Sequence, residues 1–212
     1  MARADDQAAA LEKGRLLFAA ECKFLRGVAK LDAIPPTRLP EIAFAGRSNA
    51  GKSSLVNALT GRNTLARVSN TPGRTREINF FELGKKLVLA DLPGYGFARV
   101  SKTQVAGWTD LIFSYLAGRA QLKRVALLID ARRGLMDGDR QAMNALDKAA
   151  VSYQLVLTKI DKVKPAELAS VLEKTEAESR KHGAAHPKIV ATSALSGAGV
   201  PELRGELAAF AR

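Results

Sequence analysis

The sequence predicts an α/β fold, a mixed, mostly parallel six-stranded sheet with helices on both faces. Three observations carry that prediction. Apolar runs of strand length alternate with helix-length segments through the second half of the chain. Two strand-like runs nearer the middle are separated by only Gly84-Lys85, which demands an antiparallel hairpin. At residues 41–59 a buried-looking strand leads through a glycine-rich loop into a helix.

The elements follow in order. Residues 7–31 place Leu11, Leu17, Phe18, Phe24, Leu25 and Val28 at mostly helical spacing, which predicts a helix ahead of the core. Ile34-Pro35-Pro36 breaks it, and Pro40 stands before the first strand, Glu41–Ala45. This divides the chain into a helical extension and linker over 1–39 and a main domain over 40–212. A helix is expected over Ser54–Leu59, a polar loop over 62–76, the hairpin strands over Glu77–Leu83 and Lys86–Asp91, and a second loop over 92–101. Trp108, Leu111, Ile112 and Tyr115 then recur at helical spacing in Gln104–Leu116. Strands over Arg124–Asp130, Tyr153–Leu157 and Lys188–Ala191 alternate with helices over Asp139–Ala150, 165–181 and Val200–Ala211.

Composition narrows the function class. At 47% hydrophobic and 25% charged residues the chain is ordinary for a globular protein, and at 212 residues it is long enough for a full core. No apolar run approaches the roughly 18 residues of a transmembrane helix. Asp5, Asp6, Glu12 and Lys13 occupy the region where a secretory leader needs a basic start and an apolar block. Cys22 is the single cysteine, which rules out an internal disulfide and fits a reducing cytoplasm. The formal net charge of +12 favours a polyanionic partner. Four arginines and no acid lie between 62 and 76, and five basic residues against Asp110 alone lie between 99 and 124. With little aromatic interleaving for base stacking, structured RNA met through its phosphates is the reading favoured over a diffuse solvated surface. The diffuse reading makes arginines elsewhere, such as Arg132 and Arg133, equally important.

The chemistry is concentrated in four motifs. Gly46-Arg47-Ser48-Asn49-Ala50-Gly51-Lys52-Ser53 has the spacing of a phosphate-binding P-loop, with Ser54 opening the helix. Its glycines allow a tight turn whose N–H groups point at phosphate oxygens, assisted by the helix N-terminus. Lys52 is expected to reach the β- and γ-phosphates, and the Ser53 hydroxyl to bind Mg²⁺. Asp91-Leu92-Pro93-Gly94 ends an apolar strand, where Asp91 is expected to hold Mg²⁺ through a water and the Gly94 N–H to meet the γ-phosphate. Thr158-Lys159-Ile160-Asp161 ends another strand. A carboxylate there accepts from both N1–H and the exocyclic amino group of guanine, while adenine has neither donor. The stem of Lys159 covers the base face. Thr192-Ser193-Ala194 follows a third strand, and the Ala194 N–H is expected at guanine O6. Together these select GTP over ATP.

The order and wording of these motifs resemble the Era-like GTPases, and within them the EngB (YihA/YsxC) family of bacterial ribosome-biogenesis GTP-binding proteins. The resemblance rests on Phe44–Ser54, Asn70-Thr71-Pro72-Gly73-Arg74-Thr75, Asp91-Leu92-Pro93-Gly94-Tyr95-Gly96-Phe97-Ala98 and Thr158–Asp161, and it runs from about Pro40 to Phe210. Thr158, where relatives usually carry Asn, is itself an EngB-like trait. The resemblance implies a Ras-like fold with 40–212 as the G domain, Mg²⁺, assembly of the large ribosomal subunit or its precursor, and normal cell division and septation. The chain is expected to be a cytoplasmic monomer that binds no DNA.

Thr75 stands just before the Glu77–Leu83 strand, where such GTPases keep the switch I threonine, whereas Thr64 and Thr71 lack that spacing. It is expected to hold Mg²⁺ and the γ-phosphate only in the GTP state. Gly73, Arg74, Arg76 and Glu77 flank it and complete the expected nucleotide-contacting segment. Tyr95 follows the Asp-x-x-Gly glycine, where Ras-type enzymes keep a water-orienting Gln, so intrinsic turnover is expected to be slow. Asn49 has two readings: a K⁺ ligand, by resemblance to potassium-activated relatives, or a residue that only shapes the loop. A GTP-binding module acting on a division or membrane partner, with hydrolysis incidental, is the alternative function.

Overall fold

The computed structural model describes residues 2–62, 65, 77–95 and 110–212. The strands at its centre bury side chains in both directions. In β2 (Glu41–Gly46) every residue is buried, with Ile42 and Phe44 facing one apolar layer and Ala43 and Ala45 the other. A strand buried on both faces reads as a continuous apolar run, which is why helices must cover both sides. On one side lie α3 (Asp110–Gly118) and α4 (Asp137–Lys148), with α5 (Pro165–Ser179) packed at the margin. On the other lie α1 (Ala2–Ala19), α2 (Lys52–Thr60) and α6 (Val200–Ala208).

The sheet has seven strands among the described residues, not six. Their order is β1 (Cys22–Val28), β3 (Ile78–Leu83), β4 (Leu87–Asp91), β2, β5 (Leu122–Asp130), β6 (Tyr153–Thr158) and β7 (Val190–Ala191). β3 pairs antiparallel with both β1 and β4, and the remaining pairs are parallel. Only β3 therefore runs against the others, and the expected hairpin with its Gly84-Lys85 turn is present.

The seventh strand corrects the helix expected over 7–31. The helix stops at Ala19, and Cys22–Val28 forms an edge strand with Cys22 opposite Leu83 and Val28 opposite Ile78. Only its two ends are buried, so the central residues lack the alternation that marks a half-buried strand. Tertiary pairing decides the conformation where the local pattern does not. Phe24, though exposed, stacks edge-to-face on Phe81 at 5.5 Å. The part of the expected Gln104–Leu116 helix before Asp110, with Trp108, lies outside the described residues.

Two contacts set α2, whose first turn carries Lys52 and Ser53. Arg204 of α6 donates to the Leu59 and Ala58 carbonyls at 2.8 and 2.9 Å, capping the far end of α2. α6 is in turn covered by α1 where Gly14 meets Gly205. A Cβ on Gly14 would stand 2.5 Å from the Gly205 nitrogen, so the helices touch backbone to backbone. Glu41, fully buried at the start of β2, accepts from the Tyr115 hydroxyl at 3.1 Å and from the Arg119 guanidinium. This ties the entrance of the central strand to α3 and the segment that follows it. No helix among the described residues is long and apolar enough to cross a membrane.

Candidate nucleotide-binding site

The sequence-predicted loops converge at one edge of the sheet because β2, β4, β5 and β6 all run toward it. β2 sits between β4 and β5, and the chain leaves it toward β3 and β4 on one side and returns to β5 on the other. Such a switch point opens a crevice beyond the strand ends, where parallel α/β sheets bind ligands.

The Gly46–Ser53 loop is laced to the segment after β4. Leu92 N donates to Phe44 O at 3.0 Å, Tyr95 N to Gly46 O at 3.2 Å, and Ser48 N to Tyr95 O at 3.0 Å. Gly94 suits this close approach, since a Cβ there would lie 3.1 Å from both the Ser48 nitrogen and its Cα, tighter than ordinary contact. Asp91 pairs with Phe44 in register, two residues before Gly46. Its carboxylate meets the Lys52 ammonium, and both side chains are nearly buried, at 10% and 13% exposed. Ser53 is partly exposed beside Lys52 in the first turn of α2. Asn49 adopts a left-handed backbone (φ 65°), a conformation asparagine tolerates better than most residues. That geometry supports its loop-shaping reading.

The Thr158–Asp161 segment grips the same loop. The Thr158 hydroxyl donates to Ala50 O at 2.6 Å and so anchors the loop backbone directly. Lys159 also has a left-handed backbone (φ 59°), and its ammonium contacts Asn49 O at 2.5 Å and Asp130 Oδ2 at 2.9 Å. Non-glycine residues hold such backbone only where their surroundings over-determine it. Asp161 is exposed at the rim. The Ser193 hydroxyl donates to its Oδ1 at 2.6 Å, and this bond, with the nearby Lys162, holds the carboxyl below its ordinary range. Ser193 thus reaches the site through Asp161, joining Thr192-Ser193-Ala194 to Thr158–Asp161. Ile160 N donates to Thr192 O at 3.3 Å and braces the same junction.

Four residues enter here that the motifs did not single out. Asp130, the last residue of β5, accepts from Arg132 and Lys159. Burial alone would raise its carboxyl, but hydrogen bonds from Arg132 and then Lys159 outweigh it and bring the value down to about 2. The signal was available: like Asp91, it is an acid closing an apolar strand at this edge. Asp139, 1% exposed, accepts the Tyr95 hydroxyl on Oδ1 at 2.9 Å and Met136 N on Oδ2 at 2.9 Å. The Tyr95 phenol is therefore turned into the core toward α4, and burial beside Asp139 pushes it well above its ordinary value. Arg132 and Arg133 line a cavity with Arg47, Ser48 and Asn49. They are part of the site's rim, so they cannot stand for charge remote from it.

Thr64, Thr71, Gly73, Arg74, Thr75 and Arg76 lie outside the described residues, as do Gly96, Phe97 and Ala98. Glu77, just before β3, is exposed.

Residues 41–159 match the family described as 50S ribosome-binding GTPase. A probable GTP-binding protein EngB from Rhodospirillum rubrum is 58% identical over 212 residues, spanning 98% of this chain and 92% of its own. One from Caulobacter vibrioides is 56% identical over 197 residues, spanning 93% and 86%. Among solved structures, a probable GTP-binding protein engB superposes with a TM-score of 0.57 at 27% identity, over 80% of this chain and 98% of that one. A variant of Aquifex aeolicus Era bound to GDP·AlF4⁻ reaches 0.64 at 24% identity over 83% of this chain and 58% of its own, a likeness of fold alone. The motifs, the sheet order and these relatives agree: the chain belongs to the EngB family of GTP-binding proteins, with a P-loop GTPase domain of Ras-like fold.

Proposed function

We propose that this protein is a slow, Mg²⁺-dependent GTPase that works as a nucleotide switch in assembly of the large ribosomal subunit, with the cell-division role following from that. The observation that carries the reading is the junction of the Gly46–Ser53 loop with two carboxylates of different duty. Asp91 faces Lys52 beneath the loop, and Asp161 stands at the rim, anchored by Ser193.

In this reading Lys52 turns from Asp91 to the β- and γ-phosphates, and the loop N–H groups cradle them. The Asp161 carboxylate accepts from guanine N1–H and the exocyclic amino group, the Ala194 N–H donates to O6, and the Lys159 stem lies on the base. Among the described residues no three His, Cys, Asp or Glu side chains gather into a metal cage. A single buried carboxylate and a nearby hydroxyl suit Mg²⁺, which uses one or two protein oxygens and otherwise water and phosphate. Ser53 and Thr75 would bind it directly and Asp91 through a water; when bound, it neutralises charge on the β- and γ-oxygens. Tyr95, whose hydroxyl is held by Asp139, supplies no water-orienting group, which supports slow turnover. Asn49 as a K⁺ ligand is tested separately by comparing turnover in K⁺ and Na⁺.

Co-sedimentation with purified ribosomal subunits tests the function. Binding to the large subunit or its precursor with a non-hydrolysable GTP analogue, and release with GDP, is the expected result. Equal binding in both nucleotide states refutes the switch. Absence of subunit binding, with GTP binding intact, favours a division or membrane partner instead.

A further inference from the structure

We infer that Asp130 is a positioning residue for the nucleotide site, acting through Lys159 and braced by Arg132. The inference rests on the guanine-nucleotide reading of the site and adds to it a side chain that touches no part of the nucleotide.

The geometry is closed on the protein side. Asp130 lies at the end of β5, in register with Thr158, so its carboxylate stands beside the backbone from which Lys159 departs. Oδ1 accepts from Arg132 N at 3.1 Å and Arg132 Nε at 2.9 Å, while Oδ2 accepts from Arg132 Nη2 at 2.6 Å and Lys159 Nζ at 2.9 Å. Four donors on two oxygens fill the acceptor capacity of a carboxylate. Asp130 is buried, so these bonds are little diluted by solvent. A lysine has four rotatable stem bonds, and a free one would have to be ordered when a base arrives. Here protein groups alone fix the ammonium, between Asp130 and the Asn49 carbonyl. The stem is thus laid across the region where the base is read, and the same ammonium draws the P-loop toward it. Affinity gained this way comes from preorganisation and not from a new contact.

A double-mutant cycle on the full chain tests this, read by GDP titration with a fluorescent analogue. Lys159→Met keeps an apolar stem but removes the ammonium. Asp130→Asn and Lys159→Met should each weaken GDP by about tenfold, the equivalent of one charge-assisted hydrogen bond. The double variant should be no weaker than Lys159→Met, because Asp130 has nothing left to hold. Arg132→Ala, on a side chain about half exposed, keeps the carboxylate while removing its brace, and serves if Asp130→Asn does not fold. It should weaken GDP by about threefold, again only when Lys159 is present. A merely structural Asp130 gives additive losses, which overturns the inference and leaves the nucleotide reading standing. GDP affinity unchanged in Lys159→Met also overturns the inference, since Met keeps the stem; failure of the wild-type chain to bind GDP overturns the nucleotide reading itself.

Discussion

Replacing Tyr95 by Phe removes one hydroxyl from a site where it donates to Asp139 Oδ1 at 2.9 Å and where both side chains are 1% exposed. The ring still fills its volume, so the loss is the hydrogen bond and the desolvation of the carboxylate oxygen left behind. A buried acceptor stripped of its donor costs about 1–3 kcal/mol. For a domain of this size each kcal/mol moves Tm by about 2–4 °C, so a loss near 2 kcal/mol lowers it by about 4–8 °C. Burial holds the Asp139 carboxyl above its ordinary value, against the pull of Met136 N–H and the Tyr95 hydroxyl. The folded state therefore takes up a proton before the unfolded chain does, and the penalty of the buried charge is relieved as pH falls through the raised folded value. The Tyr95 bond favours the ionised form. The gap between wild type and Tyr95→Phe should thus be full at neutral pH and narrow in acid. Calorimetry across pH measures it, alongside GTP turnover, which should stay within about threefold of wild type per folded molecule. An unchanged Tm with turnover down tenfold would place the phenol at the phosphates and refute the reasoning.

Asp161→Ala should abolish the preference for GDP over ADP while leaving the fold intact, and an unchanged preference in fluorescence titration would sink the guanine assignment. Ser53→Ala should weaken the Mg²⁺ dependence of both GDP and GTP-analogue affinity, whereas Thr75→Ala should affect the analogue alone; equal weakening of both would show that Thr75 is not the switch residue. Arg74 and Arg76 changed together to Ala should flatten the salt dependence of subunit binding, by about 0.7–0.9 in log–log slope for each phosphate no longer engaged. The proper comparison is Lys174 on α5 with Arg180 at its end, both exposed; equal loss there would favour a diffuse charge effect. Glu41→Gln should destabilise the fold by about 3 kcal/mol in urea unfolding, the low end for a broken buried pair because Arg119 keeps some contact with water.

The convergence of the candidate site was legible in the sequence because its parts are local. Each motif closes an apolar run, and a parallel sheet delivers those closing residues to one edge. Gly46–Ser53, Asp91–Gly94 and Thr158–Asp161 could be placed from strand ends alone. What escaped was longer-range. Asp130 carries the same strand-end signature, but its duty depends on where the Lys159 side chain turns, and no spacing encodes that. Tyr95 could be identified as a missing Gln; that its hydroxyl is engaged by Asp139 could not. β1 escaped for a different reason. Its middle residues are exposed, so it has no buried face to impose a period of two, and its partner β3 is remote in sequence.

The packing of α1 on α6 also fixes when this fold can be completed. Of the described helices, the earliest in the chain lies against the latest, backbone to backbone at Gly14 and Gly205. During synthesis α1 emerges well ahead of any surface able to receive it, and β1 waits for β3. Leu17 and Phe18 belong to an apolar layer that Val200, Leu203 and Leu207 of α6 complete, so that layer stays open on this side until α6 has followed. A product cut short before α6 would leave that layer open, along with the uncapped end of α2 that Arg204 normally closes.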